Sequence, residues 1–220
     1  MKKTIVALHA RGDAQQRLDA GLIARSAQES ARTNGLDRFA IDLPADNALY
    51  EQLGRRPEIA PGWQVVGHLW HQSDVAPAVL GNGFEQADAW RVHEHVAWDH
   101  EPEAYDGSPS LGVKQISFVG KRPDITDEEF VAHYRAHVDV ARIHHVGVRK
   151  YQQNIVTRTA AEGASTVFGI SEFWFRSVDD LFNRYYAFDN SSAVTRADSA
   201  NFLDPATTTW MLVQEYWIVR

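Results

Sequence analysis

Hydrophobic and polar residues recur along the first half of the chain with the periods of short strands and helices. Apolar, β-branched runs alternate with an Ala-, Gln- and Arg-rich segment that stops at Gly35, which is typical of a helix. The predicted elements are, in chain order, a strand at 3–10, a helix at 13–34, strands at 36–43 and 63–71, a helix at 73–80 and a strand at 88–98. Their order is βαββαβ.

The second half predicts a similar order of elements. These are a strand at 113–120, a helix at 127–143, strands at 148–156 and 165–175, helices at 178–186 and 192–199, and a strand at 208–219. Between the halves, the acidic segment 99–110 contains two Pro and one Gly and has no periodicity, which favours a linker. We therefore expect units at 1–98 and 112–220, joined by a linker at 99–111.

Short segments of the two halves also resemble each other. Residues 3–11 align with 114–122, residues 68–73 with 172–177, and residues 91–94 with 212–215. The identities are weak, but they fall in the same order in both halves. We interpret this as an internal duplication.

The helix predicted at 127–143 carries the best candidate for chemistry. Thr126 and Glu129 have the spacing of a capping box, and Ile125 and Phe130 have that of a hydrophobic staple. Gly147 is expected to end the helix in a left-handed conformation. The face that must pack against a sheet combines Phe130, Tyr134, His137, Val138 and Ala141.

Three segments of the second half resemble EthD-like proteins of the dimeric α+β barrel superfamily. They are FVAHYRAH at 130–137, KYQQN at 150–154 and ADSANFLD at 197–204. In that superfamily two identical chains each supply a sheet, and the two sheets pack face to face. The resemblance implies that here the two halves of one chain supply them.

The expected fold is therefore α+β, with two ferredoxin-like units (βαββαβ) packed sheet to sheet as an intramolecular dimeric α+β barrel. Each unit alone would leave one apolar sheet face bare. Burial of such a face is favourable by about 25 cal/mol per Å² of apolar area. Association of this pseudo-dimer into a homo-oligomer is left open.

Composition excludes several classes of protein. The formal charge of −7, without a cluster of Lys or Arg, argues against nucleic acid or an anionic membrane as a partner. The chain has no Cys, which excludes disulfides and thiolate sites. The apolar run near the N-terminus is interrupted by His9 and Arg11, unlike a signal peptide, and no segment is long enough for a membrane span. We expect a cytoplasmic protein.

A cavity is expected inside the barrel, lined by alternate residues of the strands. All seven tryptophans lie in predicted strands, which favours a small hydrophobic and aromatic ligand, although each of them could equally be an ordinary core residue. The residues expected to contact the substrate are Tyr151, Trp174, Phe202, His9, His68 and His95.

His137 is the candidate general acid or base, because imidazole changes charge near neutral pH. Tyr134 and Asn154 are candidates to hold a substrate oxygen through hydrogen bonds. Tyr151 and Asn154 are three positions apart, so a regular strand sends them to opposite faces and only one of them can line the cavity. A merely packed, neutral His137 bonded to a backbone carbonyl is the alternative interpretation.

Glu172 and Glu215 lie among aromatic residues in predicted strands. If unpaired, such a carboxylate has a raised pKa, and Glu172 is the candidate proton carrier. Pairing of these carboxylates with Arg149 or Arg220 is the alternative. Structural roles at helix caps or turns are expected for Asp198 and Asp204.

Cofactor motifs are weak or missing. The chain has no GxGxxG, Walker or GxSxG pattern, which argues against nucleotide cofactors and serine hydrolases. His93 and His95 share a strand face and could chelate a metal with His9 or His68, but no carboxylate has a diagnostic spacing beside them. Distant members of the superfamily bind haem, for which His137 or His9 could serve. We predict neither metal nor cofactor.

The function expected from the resemblance is that of a cofactor-independent lyase or isomerase that moves protons on a small aromatic substrate. A haem-dependent or cofactor-free oxygenase is the first alternative, and a non-catalytic carrier of a hydrophobic metabolite is the second. The working site could also lie in the first half, where His9, His68, His93 and His95 occur on strands.

Overall fold

The computed structural model describes residues 1–10, 20–54, 63–73, 84–99, 104–159 and 166–219. The strands are β1 (Lys2–Ala10), β2 (Arg38–Pro44), β3 (Val65–His71), β4 (Phe84–Trp98), β5 (Val113–Gly120), β6 (Val148–Thr159), β7 (Val167–Phe175) and β8 (Thr209–Val219). The helices are α1 (Ala20–Asn34), α2 (Asn47–Leu53), α3 (Asp127–His144), α4 (Val178–Asn183) and α5 (Ser191–Ser199). The helix predicted at 73–80 lies outside the described residues, apart from its first position.

The eight strands form one closed antiparallel barrel in the order β1-β3-β2-β8-β5-β7-β6-β4. Within the first half the strands follow the order β4-β1-β3-β2, and within the second half they follow the corresponding order β8-β5-β7-β6. The halves join twice, through β2 with β8 and through β4 with β6. The predicted α+β class is confirmed, and closure leaves no free strand edge.

Helix α2 was not predicted. Its local signals are present, because the Asp46 side chain accepts a hydrogen bond from the backbone N–H of Ala48 at 2.8 Å and Gly54 ends the helix with φ of 64°. Leu49, Tyr50 and Leu53 form an apolar face that is only partly buried, against the core under α3. A helix of seven residues is too short for this spacing to stand out as a helical period.

The predicted bounds of α3 agree with the structure within one residue, and its predicted N-terminal capping box is confirmed, but the predicted left-handed cap at Gly147 is wrong. Thr126 and Glu129 form a complete capping box. The helix ends at His145 with φ of −105°, and Gly147 does not adopt a positive φ. A Cβ atom at Gly147 would lie 2.5 Å from the Arg184 carbonyl oxygen, so this glycine permits close approach of the segment after α4.

The helices cover the outer face of the barrel. Under α1, the outer residues of β1, β2 and β3 form an apolar core that includes Val6, Phe39 and Leu69. Under α3, the outer residues of β6 and β7 form two further clusters. None of the described helices combines the length and apolar character needed to cross a lipid bilayer.

The barrel interior is packed with side chains, so the expected hollow between the sheets is wrong. Trp63, Trp90 and Phe118 form one aromatic cluster, with ring centroids 4.6 to 5.4 Å apart. Elsewhere in the interior, Trp70 stacks on Trp217 at 5.5 Å. The tryptophans there are thus core residues, as the alternative interpretation held.

A layer of buried charges also lies in the barrel. The Lys114 ammonium group lies 2.7 Å from Asp42, 2.9 Å from Glu172 and 3.1 Å from Glu215. The Lys3 ammonium group lies 3.2 Å from Glu172. These contacts connect side chains of the first half to side chains of the second, and we call the five residues the charged layer.

Replacement of Lys114 by Met is expected to lower the free energy of unfolding by about 3–5 kcal/mol, because it leaves buried carboxylates without their cation. Urea denaturation measures this value. Lys121 is the matched control, since its partner Asp127 is largely exposed, and Lys121→Met should cost less than about 1 kcal/mol. Equal effects of the two substitutions would contradict this account.

The charged layer also predicts acid sensitivity. Burial alone would raise the pKa of Glu172, but His68, Lys114 and Lys3 hold it well below its ordinary value of 4.5. A lowered native pKa contributes stability that is present above pH 4.5 and lost as the pH falls through the native pKa. We expect urea midpoints to decrease below pH 4.5, and to decrease less in Lys114→Met. A flat profile in the wild type would exclude this linkage.

Candidate active site

The candidate site is a cavity of about 650 Å³ on the outer side of the barrel in the second half of the chain. Its floor is the outer face of β5, β6 and β7, and its other walls come from α3, from α5 and from the segments that follow α4 and α5. Phe173, Phe202, Tyr185 and Tyr186 supply aromatic walls. The cavity therefore suits a flat, mainly apolar ligand.

His137 faces this cavity from α3 and pairs with Asp198 from α5. The Nδ1 atom lies 2.6 Å from a carboxylate oxygen of Asp198. A carboxylate can only accept here, so it holds the proton on Nδ1 and leaves the Nε2 lone pair of the neutral ring for a ligand. The partner of His137 is therefore a carboxylate rather than the backbone carbonyl of the alternative interpretation, and the Asp198 side chain contacts another helix rather than a cap or turn of its own.

Three hydroxyl groups line the cavity floor and its edge, and a buried amide lies next to them. The Tyr134 hydroxyl lies 2.6 Å from the Ser171 hydroxyl. The Gln153 amide donates to the Tyr151 hydroxyl at 2.8 Å and also to the backbone carbonyl of Tyr134. We call these four residues the hydroxyl cluster.

Both tyrosines of the hydroxyl cluster stay protonated. Burial is the largest cause, and it raises the pKa of Tyr134 well above its ordinary value of 10.0. Burial likewise raises the pKa of Tyr151. Neutral hydroxyl groups at the cavity are hydrogen-bond donors for a substrate oxygen that gains negative charge.

His145 lies among the aromatic walls and is uncharged at neutral pH. Its ring packs 4.8 Å from that of Tyr185 and 5.3 Å from that of Phe173. Burial, followed by the charge of His137, lowers the pKa of His145 to about 4. Sequence reasoning missed this residue, because it follows the last turn of the helix and has no periodic partner.

Of the predicted site residues, His137, Tyr134, Tyr151 and Phe202 lie at this cavity. The Phe202 ring packs 5.5 Å from the His137 ring. Gln153 and Ser171 were not predicted. Each is a polar residue at a strand position that points to the outer side of the sheet, where the neighbouring positions are apolar. A polar residue at such a position is the sequence signal that could have identified them.

The predicted residues Asn154 and Glu172 lie inside the barrel instead. The Asn154 amide donates to Glu172 at 2.8 Å and to the Ile170 carbonyl at 3.1 Å. The expected raised pKa of Glu172 and its expected pairing with an arginine are both wrong, since its partners are lysines. Tyr151 and Asn154 do lie on opposite faces of β6, as their spacing predicted.

The remaining predicted contacts are also away from the cavity. Trp174 lies beneath the ammonium group of Lys114 at 4.6 Å, and His68 Nε2 lies 2.8 Å from Asp42 in the charged layer. His9 on β1 and His95 on β4 do not line the cavity.

The side chains whose spacing suits a metal ion lie inside the barrel. Among the described residues, Asp42, His68 and Glu172 offer ligand atoms within 4.8 Å of one another. The Lys114 ammonium group already lies 2.7 and 2.9 Å from the two carboxylates, so these residues do not fit a metal ion. His93 contacts Arg135 on the outer face and does not join His68.

The residues around His137 suit a haem better than the residues inside the barrel suit a metal ion. A histidine that ligates iron commonly donates its other ring N–H to a carboxylate, which is the arrangement of His137 with Asp198. Arg196 lines the same cavity and could pair with an anionic substituent. If a haem were bound there, it would supply oxygen chemistry that the side chains alone lack.

The corresponding place in the first half is apolar. By strand pairing, Phe39 takes the position of Tyr151, Ile41 that of Gln153, and Gly67 that of Ser171. Phe39 and Ile41 are fully buried in the core under α1. The described part of the first half therefore offers no similar polar site on its outer face.

Comparisons with known proteins bear on the fold and the family. Residues 122–206 match the EthD domain. The predicted resemblance is thereby confirmed for the segment that carries His137, Tyr151 and Asp198. A comparison with curated proteins finds no match.

Several solved structures share the fold of this chain. An anthrone oxidase-like protein has a TM-score of 0.56 at 12% identity, over 100% of this chain and 94% of that one. A putative monooxygenase from Fusobacterium nucleatum has a TM-score of 0.54 at 8% identity, over 99% and 92%. A chlorite dismutase variant from Candidatus Nitrospira defluvii has a TM-score of 0.50 at 10% identity, over 97% and 90%. At such identities the likeness shows the fold alone.

NMR titration is expected to show a neutral His145 imidazole down to about pH 4. Unfolded histidine titrates near 6.5, so between these values the unfolded state binds more protons and the free energy of unfolding falls as the pH falls. His145→Phe should remove this part of the pH dependence, whereas the exposed His133→Phe should not. A His145 that titrates near 6.5 would contradict the burial argument.

Proposed function

We propose that this protein is a cofactor-independent lyase or isomerase that begins its reaction by removing a proton from a small aromatic substrate. The observation that carries the proposal is the 2.6 Å contact of His137 with Asp198 at the edge of a cavity with aromatic walls. An oriented imidazole and neutral hydroxyl donors in one cavity are the parts that proton abstraction beside a carbonyl needs.

The proposed step breaks a C–H bond next to a carbonyl or within its conjugated ring system. The proton passes to Nε2 of His137, the electron pair of the broken bond forms a C=C bond, and the π pair of the carbonyl moves to its oxygen. Asp198 then stabilises the imidazolium, and Tyr134 and Ser171 stabilise the oxygen anion. Return of the proton at another atom gives an isomerase, and loss of a leaving group gives a lyase.

We also propose that the two halves are copies of one ferredoxin-like unit, at 1–98 and 112–220, of which the second carries the site. Equivalent positions in the barrel support this. Lys3 and Lys114 take the same place in β1 and β5, and each lies 4.6 Å over a tryptophan of the neighbouring strand, Trp70 or Trp174. The first copy also carries charges in the barrel, but it has Phe39, Ile41 and Gly67 at the outer positions that are polar in the second copy.

An oxygenase is the second candidate. Proteins described as anthrone oxidase-like and as a putative monooxygenase share the fold, and a deprotonated aromatic substrate is the form that reacts with dioxygen. The His137 pair with Asp198 also suits a haem ligand. Oxygen consumption during turnover would favour an oxygenase, and a Soret band in the purified protein would favour its haem-dependent form. Ligand binding without any proton exchange would favour a carrier.

Anthrone is a suitable probe, because it combines an aromatic framework with an acidic C–H bond conjugated to a carbonyl. We expect the protein to accelerate exchange of that hydrogen in D₂O without oxygen, and His137→Gln to slow the exchange by roughly 10²- to 10⁴-fold. His144→Gln is the matched control on the same helix, because His144 bonds to Ser191 outside the cavity. Undiminished exchange in His137→Gln would remove His137 from the mechanism.

A further inference from the structure

A fourth hydroxyl group, that of Ser117 on β5, also lines the floor of the cavity. Ser117 is the direct partner of Ser171 in the pairing of β5 with β7, and both side chains lie at the cavity on the outer face of the sheet. Directly opposite residues of neighbouring strands have Cβ atoms about 4.5–5.5 Å apart. The two serine hydroxyl groups can therefore reach one and the same atom of a ligand.

The first half shows how closely these two strand positions approach each other. Val6 takes the place of Ser117 and Gly67 that of Ser171, because they are paired in the same way between β1 and β3. A Cβ atom at Gly67 would lie 2.9 Å from Cγ2 of Val6. The side chain at the first position thus lies against the second position, and in the second half of the chain both positions are serines.

The hydrogen bonds of the floor leave the proton of Ser117 unused. The oxygen of Ser117 accepts a hydrogen bond from the Gln115 amide at 3.3 Å. A hydroxyl group has one proton to donate, and none of the residues that the structure describes accepts it from Ser117. The hydroxyl groups of Tyr134 and Ser171 share one hydrogen bond, which uses one of their two protons. The floor therefore has a donor on β5 and a second donor in the Tyr134 and Ser171 pair.

The barrel does not require hydroxyl groups at these two positions. Val6 is fully buried in the core under α1, so the same place on the sheet accepts an apolar side chain. Ser117 is only half-buried, because it borders the cavity instead of an apolar core. A contact with a ligand explains a hydroxyl group there better than packing does.

We infer that Ser117 is a substrate-binding residue that donates a hydrogen bond to the substrate's carbonyl oxygen, together with the pair formed by Tyr134 and Ser171. Donors that converge on one oxygen form an oxyanion hole, which stabilises negative charge as it develops. The inference rests on the proposed function, in which this oxygen gains charge when His137 removes a proton. It deepens that function by orienting the substrate, with its oxygen over the junction of β5 and β7 and its C–H bond toward α3.

The test compares Ser117→Thr with Ser117→Val. Both side chains are β-branched and suit a strand, and they have nearly the same shape, but only threonine keeps the hydroxyl group. The probe is 4-nitrophenol, whose absorbance distinguishes bound phenol from bound phenolate. We expect Ser117→Val to bind the phenolate roughly 10- to 100-fold more weakly than Ser117→Thr does. Binding of 4-nitrotoluene, which has no such oxygen, should be the same in both variants.

Hydrogen exchange of anthrone in D₂O gives a second measurement. Loss of one oxyanion-hole donor should slow exchange in Ser117→Val by roughly 10²-fold, mainly through kcat, whereas Ser117→Thr should stay close to the wild type. Thr157→Val is the matched control, since it makes the same exchange of hydroxyl for methyl on β6. The Thr157 hydroxyl donates to the backbone carbonyl of Arg91 and does not line the cavity, so both assays should be unchanged.

Equal phenolate binding by Ser117→Thr and Ser117→Val would overturn the inference, and so would a wild-type protein that binds no 4-nitrophenol. If urea denaturation shows that either variant does not fold, Ser117→Ala is compared with the wild type, and a loss of 4-nitrophenol binding without a loss of 4-nitrotoluene binding is expected.

The two assays also separate this inference from the proposed function. Phenolate binding that depends on Ser117, without any anthrone exchange, would count against the proposed function alone. Exchange that depends on His137 but is equal in Ser117→Thr and Ser117→Val would count against the role of Ser117 alone.

Discussion

Buried charges that pair across the barrel constrain the rest of this structure. Lys114 of the second half lies within 3.1 Å of Asp42, Glu172 and Glu215, and Lys3 of the first half reaches Glu172. A buried carboxylate is tolerated only with its cations in place, so the halves must meet in this register. Together with the aromatic cluster, these charges occupy the interior among the described residues, and the candidate cavity lies on the outer side.

The alternation of strand residues lets the same strands serve both purposes. On β7, Ser171 faces the outer cavity while Glu172 faces the barrel, and on β6 the neighbours Gln153 and Asn154 divide in the same way. The charged layer therefore lies on one side of the sheet and the candidate site on the other, and adjacent residues of one strand belong to each. The outer side of these strands carries the hydroxyl cluster, while their inner side carries the buried charge pairs.

The two halves differ on their outer faces far more than in the barrel. Inside, each contributes a lysine over a tryptophan, and outside, the first half is apolar where the second has the hydroxyl cluster. A closed barrel requires both halves for its fold, whereas an outer cavity requires only one. One half can thus be structural while the other carries the chemistry.

Local sequence determined the elements, the cap at Thr126, the α+β class and the candidacy of His137, because caps and apolar periodicity depend on residues only a few positions apart. The resemblance to EthD-like proteins identified the part of the chain that matches the EthD domain, residues 122–206. Tertiary structure alone decided that Asp198 meets His137 across 61 positions and that Lys114 meets Glu215 across 101. The alternation of residues along a strand assigns them to two faces of the sheet, but it does not identify the face that lies inside the barrel. The interior face is defined only when the eight strands close.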